Sequence, residues 1–169
     1  SKAEATYRSN YAIGKDEIVM GDIVNFTRIK KHIKSLPKFD LLTGRFPCQT
    51  FSMMGNQAGF EEDRGQMFFR IMDILAIKKP KYVLLENVKN LCNHDKGRTF
   101  IRIKNELESI GYRVYADVFN TVDFHLPQTR NRVLIFATKA KVPQSFQFSS
   151  KLIAEVFDKK YKETGLAYY

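Results

Sequence analysis

The sequence predicts an α/β fold around a mostly parallel sheet. Two short apolar runs, residues 39–43 and 82–85, read as buried strands. Between them, residues 65–79 form a helix that is apolar almost all round, through Met67, Phe68, Ile71, Met72 and Leu75, the pattern of a buried helix. Residues that can carry chemistry, Cys48 and Glu86, follow closely on the two runs. Open α/β sheets place their reactions at that end of their strands.

Taken in order, residues 1–11 carry Ala3, Tyr7 and Tyr11 and read as the tail of a helix. Glu17-Ile18-Val19-Met20 is a short strand closed by Gly21-Asp22-Ile23. Residues 26–36 make a basic helix with Phe26, Ile29 and Ile33 on one face and Lys30, Lys31 and Lys34 on a solvated one. After the strand at 39–43, Gly44 lets the backbone turn and Pro47 stiffens the approach to Cys48. The loop that follows is punctuated by Gly55, Gly59 and Gly65, the pattern of a mobile lid.

Pro80-Lys81 ends the buried helix ahead of the second apolar strand. Phe100, Ile103, Leu107 and Ile110 share one stripe of a helix that Gly111 stops. Residues 112–120 form a strand with Val114, Ala116 and Val118 on one face, and 121–131 connect it to a last strand at 133–138. These two make a hairpin-like antiparallel end to the sheet. Pro143 marks a linker, and Ser149 or Ser150 begins an amphipathic helix with Leu152, Ile153, Val156 and Phe157. The expected division is a catalytic segment over 1–139 and a linker with its helix over 140–169.

A chain of 169 residues with 44% hydrophobic and 13% aromatic content builds a globular core and is not disordered. No apolar run is long enough to cross a bilayer and no signal peptide opens the chain, so no membrane partner is expected. The two cysteines, Cys48 and Cys92, form no metal-type cluster, which points to reduced thiols in a cytoplasmic setting and to no metal. A charge of +10 favours a polyanionic partner, although it also fits a merely soluble basic protein.

Read singly, each candidate keeps two meanings. Cys48 is a nucleophile or a small buried hydrophobe. Asp22, just past a strand end, accepts from a ligand's amino or hydroxyl group or caps the next turn. Glu86 is a general acid or a salt-bridge partner. Arg130 and Arg132, at the entry to the last strand, are weak evidence by themselves.

Together the ordered motifs say more. Phe46-Pro47-Cys48-Gln49, Glu86-Asn87-Val88 and Gln128-Thr129-Arg130-Asn131-Arg132, with Gly21-Asp22-Ile23 and the lid run from Gly59 to Gly65, resemble the DNA (cytosine-5)-methyltransferase family, bacterial restriction-modification type. The resemblance covers residues 1 to about 148. It implies a Rossmann-like, S-adenosylmethionine-dependent methyltransferase sheet. Arg45 stands where a small residue is usual, and His125 where a glycine is usual. The glycine loop that cradles the methionine end of the cofactor, the first two strands of the sheet and the target-recognition region have no counterpart in this sequence. The resemblance therefore implies a partial enzyme, with a complementary polypeptide segment as partner and negligible cofactor binding by the chain alone.

The same resemblance implies the chemistry. Carbon 5 of cytosine is a poor nucleophile until a thiolate adds to carbon 6, and Cys48 would supply that thiolate. Glu86 would donate to ring N3; Arg132 would hold the base and Glu86, with Arg130 near the nucleophile. Asp22 would meet the adenine amino group of S-adenosylmethionine, Ile23 and Met67 would pack on its ring, and Pro47 would touch it. Gln49, Ser52 and Arg64 would face double-stranded DNA, whose target base must leave the stack. Two other readings stay open: a non-catalytic nucleic-acid-binding remnant, and an RNA-directed cytosine methyltransferase.

Overall fold

The computed structural model of the chain describes residues 2–11, 14, 17–47 and 66–164. Helix α1 spans Lys2–Asn10, α2 Ile23–Thr27 and α3 Lys30–Ser35, followed by strand β1, Leu41–Arg45. Then come α4 (Gln66–Lys78), β2 (Tyr82–Val88), α5 (Arg98–Ser109), β3 (Arg113–Asn120), β4 (Asn131–Thr138) and α6 (Ser150–Thr164).

The sheet has four strands in the order β1-β2-β4-β3. β1 and β2 pair in parallel, while β4 inserts antiparallel between β2 and β3. Three strands thus point one way, but only one of the three hydrogen-bonded pairs is parallel. The helix α5 carries the chain from β2 to β3 and leaves the position between them for β4. It ends as the sequence predicts: Gly111 takes φ +87, its N–H bonds Glu108 O, and Tyr112 N–H bonds Leu107 O.

The core lies on one face of the sheet. β2 turns Val83, Leu85 and Asn87 inward, β4 adds Val133, Ile135 and Ala137, and α4 and α5 cover them with Phe68, Leu75, Ile103 and Leu107. Gly44 serves this packing rather than a turn. A Cβ there would lie 3.3 Å from Leu85 Cδ2 and 3.4 Å from Ile71 Cδ1, so glycine lets β1 and α4 approach closely. The opposite face carries an aromatic stack in which Tyr82, Tyr115, Phe146 and Phe148 surround Phe136.

Three further expectations are corrected. Glu17–Met20 is not a strand; Ile18, Val19 and Met20 are exposed and pair with no strand. Its apolar run suits a strand, but a strand forms only by pairing, and these residues join no strand of the described sheet. The basic helix at 26–36 is two short helices, because Ile29 adopts extended backbone (φ −107, ψ 103) and is exposed. Thr27 Oγ1 bonds back to Ile23 O at 2.7 Å, a contact that competes with helix continuation. The amphipathic stripe of α6 buries less than its pattern suggests: Phe157 meets Phe124, while Leu152, Ile153 and Val156 remain exposed.

Candidate active site

β2 runs unbroken through Glu86 and Asn87, so the alternation of the strand assigns these neighbours to opposite faces. Asn87 faces the core, where it is buried and its Nδ2 donates to Phe46 O at 2.8 Å. That bond ties the end of β2 to the segment leaving β1, just ahead of Pro47 and Cys48.

Glu86 faces the other way. In the parallel register it stands directly opposite Arg45 of β1. On its other side Arg132 of β4 pairs with Val88, two residues along the same face, close enough for a long side chain to reach diagonally. The carboxylate is accordingly held on both oxygens: Arg132 Nε lies 2.7 Å from Oε1 and Arg45 Nε 3.1 Å from Oε2. These are close charge contacts without hydrogen-bond alignment, since Glu86 Oε2 and Arg132 Nε are both buried and make no aligned bond. The site is an acid at a strand end, paired in charge with one arginine from each neighbouring strand.

Arg130 is not drawn to this cluster. Its side chain is exposed, and its backbone N–H is held by Asn120 Oδ1 at 3.1 Å. Asp22 caps α2, its carboxylate accepting from Asn25 N at 3.0 Å. Ile23 at the start of α2 and Met67 in the first turn of α4 are half-buried, and the two helices pack together. Pro47 is exposed at the exit from β1. Cys48, Gln49, Ser52 and Arg64 lie outside the described residues. Among the described residues no group of His, Cys, Asp and Glu could hold a metal ion, and no helix is long and apolar enough to cross a membrane.

Two residues escaped the sequence reading. Arg45 stood there as a departure from a pattern, and here it contacts Glu86. Asn87 was legible as a polar residue at an inward position of an apolar strand. His125, the other departure, occupies left-handed backbone (φ 60, ψ 19), the conformation that makes glycine usual there. Its ring meets Asp158 of α6, with Nε2 2.7 Å from Oδ1.

A strand-end acid held by arginines thus stands on an α/β sheet, and the relatives of the chain give its class. The C-5 cytosine-specific DNA methylase family matches residues 1–167, and the chain belongs to that family. It is 45% identical over 148 residues to the type II methyltransferase M.SsoII of Shigella sonnei, covering 87% of this chain and 37% of that protein. It is 38% identical over 158 residues to M.HhaI of Haemophilus parahaemolyticus, covering 93% and 46%. M.DsaV of Dactylococcopsis salina is 40% identical over 169 residues, covering 98% and 46%. The chain thus spans less than half the length of these curated relatives. Among solved structures, an Entamoeba histolytica methyltransferase superimposes with a TM-score of 0.60 at 23% identity, over 88% of this chain and 45% of that one. The Schizosaccharomyces pombe Dnmt2 methyltransferase gives 0.52 at 22%, over 80% and 41%. These two likenesses establish a shared methyltransferase fold.

Proposed function

We propose that the chain forms the catalytic segment of an enzyme that methylates carbon 5 of cytosine in double-stranded DNA. The observation that carries the reading is Glu86 between its two arginines. The Glu86 side chain remains 26% exposed at the strand end while both arginines hold its charge. Cytosine presents its exocyclic amino group, ring N3 and carbonyl O2 in that sequence. Glu86 would donate to N3 as charge enters the ring, and Arg132 would steady both the base and the acid. Cys48 would add its thiolate to carbon 6 and leave as the proton departs from carbon 5. Such an edge is reached only when the base is turned out of the duplex.

The cofactor residues fit S-adenosylmethionine. Asp22 is exposed and uses Oδ1 for its cap, leaving its second oxygen for an amino group, while Ile23 and Met67 supply apolar surface on packed helices. The bound cofactor would supply the methyl group as an electrophilic sulfonium. The restriction-modification setting of the relatives, and a cytoplasmic location with DNA, extend the same proposal.

The test joins this chain to the flanking regions of a longer relative and offers it DNA with fluorine at cytosine carbon 5. Fluorine replaces the proton that elimination needs, so a covalent adduct should persist on a denaturing gel. A Cys48→Ala protein that still forms the adduct would exclude the cysteine mechanism.

A further inference from the structure

The family resemblance offers no role for Arg45, yet the register of β1 and β2 sets it opposite Glu86. The two arginines on that carboxylate are unequally placed. Arg132 is 21% exposed at 2.7 Å, whereas Arg45 is 64% exposed at 3.1 Å. So exposed an ion pair contributes little to holding Glu86, and the hold falls to Arg132. Arg45 therefore has capacity to spare. A guanidinium carries five N–H donors in a fixed fork that matches phosphate oxygens, and here most of the side chain is open to solvent. It stands on a face of β1 where Leu41 and Thr43 are exposed as well, so access from that side is unobstructed by its strand neighbours.

We propose that Arg45 is a DNA-backbone contact of the site. Its Nε stands 3.1 Å from Glu86 Oε2, and its outward N–H groups take a phosphate of the target strand beside the base that Glu86 receives. This rests on the reading of Glu86 as the base-binding acid. The chain's charge of +10 attracts DNA without locating it, and Arg45 supplies a cation at the reacting strand end, three residues before Cys48.

The experiment measures binding of the 169-residue chain to a fluorescein-labelled, cytosine-containing duplex by anisotropy across a salt series. Each phosphate contact contributes about 0.9 to the slope of log affinity against log salt. Arg45→Gln should reduce that slope by about one contact and weaken binding several-fold at low salt. Arg45→Lys should restore the slope, which a merely structural role would not require. An unchanged slope in Arg45→Gln, or no salt-dependent binding by the unsubstituted chain, overturns the proposal. The cytosine reading fails separately: a slope change at Arg45 without a fluorocytosine adduct supports the phosphate contact and removes the methylation chemistry. An adduct with an unchanged slope removes the contact alone.

Discussion

Glu86 gathers one arginine from each neighbouring strand, and the pairing fixes its carboxyl group at the strand end. Glu86→Gln keeps the shape but supplies neither the proton nor the charge. In the joined enzyme it should leave DNA binding nearly intact and slow methylation by roughly a hundredfold or more, read from tritiated-methyl incorporation; unchanged turnover would remove Glu86 from the mechanism. Asn87 acts on the same end of β2 from the core side. Its Nδ2 donates to Phe46 O in a buried setting, so Asn87→Ala removes that bond and leaves a small void. The expected cost is about 1–3 kcal/mol in urea unfolding. A negligible loss would show that the Asn87–Phe46 bond adds nothing net to stability.

At the level of elements, α6 is attached to the sheet through a carboxylate. Asp117 of β3 accepts at Oδ2 from Ser150 N at 2.7 Å and Ser150 Oγ at 2.8 Å, and at Oδ1 from Val118 N at 2.8 Å. Burial pushes its acidity towards a higher pKa, but the bonds from Ser150 and Val118 together outweigh it and hold the group below the ordinary carboxylate range. A depressed carboxylate stabilises the fold above its unfolded value and stops doing so as pH falls through its folded value. Asp117→Asn should therefore be destabilising at neutral pH, and its difference from the unsubstituted chain should shrink as pH falls below about 4. Urea midpoints of both proteins across that range are the check; a difference independent of pH would assign the stability to shape rather than charge.

Across the whole molecule, the outer edge of β1 pairs with no strand among the described residues, and Ile18, Val19, Met20 and Leu41 are exposed. A parallel strand with an open, partly apolar edge is a template for another chain. The chain should associate with itself as its concentration rises, seen as a shift in sedimentation velocity, and Leu41→Lys should suppress the shift. Sedimentation as a monomer at all concentrations, with or without the lysine, would mean that the edge is protected.

Much of this fold was legible because its signals are local. The apolar run at 82–85, the stripe through Ile103 and Leu107, and the stop at Gly111 are carried by residues a few positions apart, whose patterns follow from backbone geometry. The order of Pro-Cys-Gln, Glu-Asn-Val and the arginine motif likewise announced a family, since each is a short contiguous run. Glu17–Met20 and the helix at 26–36 were misread for the converse reason: a strand exists only when an edge accepts it, and a helix continues only while its backbone bonds win. Arg45 was the least legible of all. Its meeting with Glu86 joins residues 45 and 86 through the pairing of two strands, and no local period encodes a register between strands separated by a helix.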